Sequence, residues 1–232
     1  MVDQGLAPSR SRARAMILAG RVRVGGKTAS KPADQANGDI AVAADPNPWV
    51  SRAGLKLDHA LTRFDLKPAG MALDLGASTG GFTQVLLTRG ADHVHAVDVG
   101  HDQMHPDLLA DERVTCHEGV NVRALGPGDV PTPDWITADL SFISLEKALP
   151  AALALASQGA TLVALIKPQF EAGRGAIGKG GIVRDPEVHR AVCDRISAWL
   201  EDQGWSPIGL TESPIAGGDG NVEFLIAAQG PV

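Results

Sequence analysis

Leu73-Asp74-Leu75-Gly76-Ala77-Ser78-Thr79-Gly80-Gly81-Phe82 is the stretch on which the reading of the fold turns. Residues 72–75 are apolar apart from Asp74 and predict a short buried strand. Residues 83–89, TQVLLTR, predict the helix that follows. Between them is a turn of small residues, in which Gly76, Gly80 and Gly81 leave room for a ligand to approach the backbone. Strand, glycine turn and helix N-terminus together make the nucleotide-binding corner of an open parallel sheet.

The spacing selects among nucleotides. A dinucleotide site reads G-x-G-x-x-G, with three glycines fitted to a pyrophosphate. Here the order is Asp74-x-Gly76-x-x-x-Gly80-Gly81, with the acid ahead of the first glycine. A carboxylate there repels a pyrophosphate but suits a cationic ligand, met directly or through water. S-adenosylmethionine fits, with its sulfonium, its amino group and no phosphate. The next strand, residues 94–98, ends in Asp98, placed to take ribose hydroxyls. The candidate cofactor contacts are therefore Asp74, Gly76, Ser78, Thr79, Gly80, Gly81, Phe82 and Asp98, with Asp139 at a later strand end.

Downstream, strand and helix patterns alternate, which predicts a doubly wound, mostly parallel α/β sheet of the Rossmann-like kind. Strands are expected at 114–117, 135–139, 161–166 and 222–226, and helices at about 145–157 and 186–203. Residues 172–182, AGRGAIGKGGI, read as a mobile glycine-rich loop carrying Arg174 and Lys179 near the substrate. Asp139 and Lys167 each stand where a strand meets its C-terminal loop, the edge at which open α/β sheets bind ligands. The two can pair there, either as an ion pair tying the sheet edge or as reacting groups.

Upstream, residues 10–19 read as a helix capped by Ser9 and stopped by Gly20, with Arg10 and Arg14 on one face. Residues 21–24 alternate as a strand, Gly25-Gly26 makes a turn, and residues 40–42 supply a partner strand. This is either a solvated basic helix or an RNA-binding module whose arginines meet phosphates. Residues 44–51, ADPNPWVS, have linker composition. Trp49 is read as a packing anchor between domains or as a stacking partner for a base. A helix then opens at residue 51 and runs to Phe64; Lys56 within it reads, on its own, as a surface lysine.

Composition narrows the class. The net charge of −6 is +6 over residues 1–31, where seven basic groups face Asp3 alone, and −12 over the other 201. A concentrated basic end on an acidic body suggests a polyanionic partner for that end. No apolar run reaches the ~18 residues of a membrane span, and no apolar signal core follows the basic start, so a cytoplasmic protein without stable membrane association is expected. Cys116 and Cys193 are too few and too far apart for a disulfide framework or a zinc site. Oligomeric state is left open.

The stretches Gly5-Leu6-Ala7-Pro8-Ser9-Arg10-Ser11-Arg12-Ala13 and Ile17-Leu18-Ala19-Gly20-Arg21-Val22-Arg23-Val24-Gly25-Gly26-Lys27 resemble the S4 RNA-binding domain. That family carries another helical turn, opening with Arg-Leu-Asp, before the Gly-Leu, so the first helix is expected to be short. The resemblance implies RNA contacts for Arg10, Arg12, Arg14, Arg21, Arg23 and Lys27. Residues 74–83, 96–100, 139–145, 165–171, 180–186 and 220–224 resemble the TlyA family, which joins an S4 domain to an FtsJ-like (RrmJ-type) methyltransferase and is often labelled hemolysin. The implied layout is an S4-like domain at 1–44, a linker at 45–51 and the methyltransferase at 52–232. After Val99-Gly100 the family pattern Tyr-Gly-Gln is replaced by His101-Asp102-Gln103.

The resemblance further implies 2′-O-methylation of a cytidine ribose in ribosomal RNA, on the large subunit and in longer members on the small one too. By motif position it maps a Lys-Asp-Lys-Glu tetrad onto Lys56, Asp139, Lys167 and Glu223. The chemistry is coherent, because a ribose hydroxyl is a poor nucleophile and must lose its proton as it attacks. Lys167 is assigned as the proton acceptor, tuned by Lys56, with Asp139 orienting both lysines and Glu223 positioning the network or the ribose. A sulfonium donor needs no metal. With no tyrosine in the chain, base stacking falls to Phe142, Phe170, Trp49 or an arginine. Ribosomal RNA or ribosomal subunits are the partners implied. The rival readings are a non-catalytic RNA-binding ribosome-assembly factor, a membrane-active haemolysin and a small-molecule methyltransferase.

Overall fold

A nine-residue helix, Arg10–Leu18 (α1), opens the secondary structure of the computed structural model. The structure describes residues 1–7, 10–18, 20–32, 38–43 and 47–232, and for 11, 12, 15, 174 and 179 the backbone alone. Ser9 and Ala19, read as the cap and last residue of the first helix, lie outside the described residues, as do linker positions 44–46. So do the side chains of Arg12, Arg174 and Lys179. After α1 come three short strands, Val22–Val24 (β1), Lys27–Thr28 (β2) and Ile40–Val42 (β3). The Gly25-Gly26 turn closes β1 onto β2, and β3 pairs with the other side of β1, giving an antiparallel order β2-β1-β3. Ala7, Ala13, Met16 and Val22 form the buried centre. By contact the chain divides into Met1–Pro48 and Trp49–Val232, so residues 49–51 go with the second unit.

The second unit alternates helix and strand: Ala53–Arg63 (α2), Met71–Leu75 (β4), Gly81–Arg89 (α3), His93–Val97 (β5), Pro106–Leu109 (α4) and Val114–His117 (β6). Trp135–Ala138 (β7), Leu145–Ala148 (α5), Pro150–Leu153 (α6), Thr161–Ile166 (β8), Pro168–Glu171 (α7) and Pro186–Asp202 (α8) follow. Ser206–Glu212 (β9) and Phe224–Gln229 (β10) complete it. The seven strands run in the order β6-β5-β4-β7-β8-β10-β9. The first five are parallel, and β10 is antiparallel to both β8 and β9. This is the doubly wound Rossmann-like sheet anticipated from the alternation.

The central strands β7 and β8 are buried along their whole length, as parallel strands covered on both faces must be. Leu57, Leu61, Val85 and Leu86 of α2 and α3 pack on one face. Leu149, Ile196 and Leu200, from α8 and the α5–α6 segment, pack on the other. Two readings need correction. The helix expected over 145–157 is two short helices, because Pro150 has no N–H for the helical ladder and restarts the coil. Strand β9 is an addition to the expected set, since Pro207 and Gly209 weaken a strand pattern; at a sheet edge both are tolerated. Cys116 and Cys193 are free thiols. Among the described residues no helix is long and apolar enough to cross a membrane.

Candidate active site

The site is built at the C-terminal edge of β4, β5, β7 and β8. At the end of β4 the chain turns at Gly76, whose φ is +80°. A Cβ there would sit 2.5 Å from the Asp139 carbonyl oxygen, so only glycine lets the β4 turn and the β7 turn approach this closely. The Gly76 N–H donates to Val97 O (2.8 Å), tying the turn to β5. The Ser78 N–H donates to Asp98 Oδ2 (2.8 Å) and the Gly100 N–H to Asp98 Oδ1 (2.7 Å). Both oxygens of Asp98 are thereby aimed before any ligand arrives.

Asp74 has a different position from the one the spacing suggested. Its carboxylate is fully buried and accepts from Thr83 Oγ1 (2.7 Å) and Thr137 Oγ1 (2.9 Å), joining β4 to α3 and β7. Burial pushes it up to about 6, against the pull of the two threonine hydroxyls. It does not line the cavity; it fixes the floor on which the glycine turn stands. Phe82 is buried and reaches the wall of a hollow beside the turn, and Gly80 and Gly81 open α3.

A cavity of about 400 Å³ lies over the turn, lined by Gly76, Ser78, Asp98, Asn121, Asp139 and a set of apolar side chains that includes Val99, Val120 and Ile143. It shares Gly76, Ser78, Asp139 and Ser141 with an adjoining hollow of about 270 Å³, whose walls include Thr79, Arg52 and Lys167. The residues fit an adenosyl group: a carboxylate at the lip to accept hydroxyls, apolar walls for a flat base, and bare backbone at Gly76. At the mouth stands Phe142, 89% exposed, with φ +65° and its ring 5.0 Å from that of Phe170.

The four residues mapped from the tetrad form two ion pairs. Lys167 Nζ lies 2.6 Å from Asp139 Oδ1 and donates to Ser141 Oγ at 2.9 Å. Lys56 Nζ lies 2.6 Å from Glu223 Oε2, with both side chains buried. The antiparallel register Phe224↔Ile166 sets the next residue of each chain, Glu223 and Lys167, side by side at the same edge. Gly217 leaves the space that Glu223 Oε1 needs, and α2 carries Lys56 in from the far end of the chain. Asp139 lines both hollows and Lys167 the smaller one; Lys56 and Glu223 are among the walls of neither. Buried ionic groups cost several kcal/mol each to desolvate unless paired, so neither pair is a neutral decoration of the core.

Sequence reasoning does not single out Ser141, Gln103 or Asn121. Ser141, two residues past Asp139, has no signal beyond its place in a turn, and its contact with Lys167 exists only once β7 and β8 are adjacent. Among the described residues, no group of three or more His, Cys, Asp or Glu is arranged to hold a metal ion.

In the first unit Arg10 and Arg14 are exposed on α1, and Arg23 and Lys27 are exposed on β1 and β2. Arg21 is half-buried. A hollow of about 660 Å³ is lined by Arg10, Arg14, Lys27 and Lys31 over Ile17, Val22 and Ile40. The spacing argument and the structure thus bring Asp98 and Lys167 to two adjoining hollows that share Asp139, and the basic residues to another surface.

Comparison with known proteins agrees with this division. The pattern of the FtsJ-like methyltransferases matches residues 49–230, and that of the S4 domain matches residues 1–39. The 16S/23S rRNA (cytidine-2'-O)-methyltransferase TlyA of Mycobacterium tuberculosis is 44% identical over 231 residues, covering 97% of this chain and 86% of that protein. The solved structure of a Streptococcus thermophilus protein that carries the provisional name hemolysin superposes with a TM-score of 0.82 at 41% identity, over 99% of this chain and 86% of that one. The fold alone is shared with the N-methyltransferase NodS of Bradyrhizobium japonicum in complex with S-adenosylhomocysteine, at 12% identity and TM-score 0.55 over 82% and 94% of the two chains.

Proposed function

From the premise that the chain belongs to the FtsJ-like methyltransferase family, we propose that it is an S-adenosylmethionine-dependent ribose 2′-O-methyltransferase acting on a cytidine of ribosomal RNA. The observation that carries this reading is the Lys167–Asp139 pair in the cavity wall, 2.6 Å apart and beside the bare backbone of Gly76. S-adenosylmethionine, when bound, supplies an electrophilic methyl group on a sulfonium. Asp98 would hold its ribose, and the walls around Val99, Val120 and Ile143 its adenine.

The remaining work belongs to the chain's own side chains. Lys167 first releases its own ammonium proton to solvent, and its neutral Nζ then accepts the proton of the attacking 2′-hydroxyl. Asp139 and Ser141 fix that nitrogen from two sides, so its lone pair is delivered in one direction. Glu223 and Lys56 supply a second, buried pair that holds the β8–β10 edge in register next to Lys167. Phe142, exposed at the mouth with Phe170 against it, offers a stacking face to the acceptor base. Arg10, Arg14, Arg23 and Lys27 neutralise phosphates, the larger part of the affinity of such contacts.

The test is transfer from labelled S-adenosylmethionine to purified ribosomal subunits, with the product nucleoside mapped by nuclease digestion and mass spectrometry. A 2′-O-methylcytidine made by the native protein and not by Lys167→Ala is the expected result. Binding of the cofactor without transfer to either subunit would sink the catalytic reading in favour of an RNA-binding assembly factor.

A further inference from the structure

Two loops carry the acceptor side of the cavity. One, after β7, holds Asp139, Ser141 and Phe142; the other, after β8, holds Lys167 and Phe170. Phe142 sits in the left-handed region, which costs a bulky residue of order 1–3 kcal/mol unless its surroundings hold it. A buried carboxylate outside the tetrad joins the loops. Glu171, with its side chain 2% exposed, accepts from the Leu145 N–H at 2.7 Å through Oε1. Ser144 makes no side-chain cap for α5, so Glu171 from the other loop supplies that acceptor. Burial pushes the Glu171 carboxyl upward, against the Leu145 N–H and Arg195.

Arg195, on α8, completes the join. One guanidinium nitrogen donates to the Glu171 carbonyl oxygen at 2.9 Å and lies 3.2 Å from its Oε2. The other lies 2.7 Å from Glu146 Oε1, on the first loop's helix. A single rigid fork thus grips both loops from the third layer of the fold, a geometry that an ammonium cannot reproduce. The cofactor side has different supports: Gly76 is held by β5, and Ser78 and Gly100 by Asp98.

We propose that Arg195 and Glu171 are positioning residues that set the Ser141–Phe142 turn against Lys167 and Phe170, and so govern the acceptor half of the site more strongly than the cofactor half, to which the same loop lends part of a wall. The inference rests on the function proposed above for its catalytic readout, and has a second readout that does not.

Two variants test it, Arg195→Lys, which keeps the charge, and Glu171→Gln, which keeps the shape and the acceptor for Leu145. Turnover on ribosomal subunits is expected to fall roughly 10- to 100-fold in each, the scale of a misplaced reacting group. Affinity for S-adenosylhomocysteine by calorimetry is expected to fall by no more than about threefold, far less than turnover, since Asp98 and the Gly76 turn keep their own supports and the loosened loop adds only one side of the wall. Amide hydrogen exchange should quicken over residues 140–146 and 168–171 and stay unchanged over 74–82. Unchanged turnover with a lowered melting temperature would reduce the pair to a structural role and overturn the proposal, as would parallel loss of S-adenosylhomocysteine affinity. If the native protein methylates neither subunit, the catalytic reading fails by itself. The exchange pattern and S-adenosylhomocysteine affinity then decide: quickening confined to the two loops supports the proposal, and none overturns it.

Discussion

The two units of this chain are built on opposite plans. The second spreads its apolar residues over both faces of a seven-stranded sheet and keeps Lys56, Lys167, Glu223 and Asp74 inside the result. The first has four buried apolar residues among those described and contains no aromatic side chain and no histidine through Pro48, yet residues 1–31 carry +6. A deep core is what lets charges be desolvated and aimed, so chemistry belongs to the second unit. A shallow core ringed with arginine holds a surface charge and little else, and without aromatic rings it has charge to offer a phosphate but no ring on which to stack a base.

The contrast breaks first at Lys167. Lys167→Ala should lower methyl transfer about 10³-fold, within the range for loss of a general base, with S-adenosylhomocysteine affinity kept. Retained turnover would move the chemistry elsewhere. Stability gives the next test. Leu162→Ala, deep in β8, should cost about 2–5 kcal/mol in the second unit's unfolding. Val22→Ala removes less surface but a larger share of its small core, and should melt the first unit early in a calorimetric scan, leaving the main transition in place.

Charge comes third. Replacing Arg10, Arg14, Arg23 and Lys27 with glutamine should weaken RNA binding and flatten the plot of log affinity against log salt, by about one unit for each phosphate no longer neutralised. A slope that does not change would remove the first unit from RNA recognition.

The smallest effect is a matched pair of pH dependences inside the second unit. Burial, with His117 and His93 beside it, pushes His95 down from 6.5 to about 4. The unfolded chain then takes up that proton first, so stability present above pH 6.5 drains as pH falls through about 4. Asp74, raised from 3.8 to about 6 by burial, does the reverse: its stability is full below pH 3.8 and lost as pH rises through about 6. Between pH 6 and 4 the two oppose, each with a slope of up to about 1.4 kcal/mol per pH unit. Asp74→Asn should therefore make stability fall more steeply on acidification over that interval, and His95→Gln less steeply, by denaturant titration.

What was legible followed local rules. The Asp74–Phe82 turn, the alternation of strands and helices, and the strand-end placement of Asp98, Asp139 and Lys167 all read from period and glycine spacing. Three things did not. Strand β9 hides behind Pro207 and Gly209, because an edge position forgives residues that a central strand rejects. Asp74 looks like a ligand-facing acid, since a sequence does not show that Thr83 and Thr137 will enclose it. Lys56 looks like a surface lysine until a family resemblance marks it; nothing local distinguishes a helical lysine whose partner lies 167 residues away.

The sequence by itself determined the class of fold, the basic end, and the edge of the sheet where ligands meet the backbone, because strand period, glycine spacing and charge act over a few residues. Tertiary structure alone decided which charges became partners. The antiparallel return of β10 along β8 carries Glu223 to the sheet edge where α2 brings Lys56 to pair with it, the adjacency of β7 and β8 brings Asp139 and Ser141 to Lys167, and α8 lets one arginine hold both acceptor loops. Those contacts join segments far apart in the chain, and their energy arises only when the sheet has closed and water has been excluded from between them.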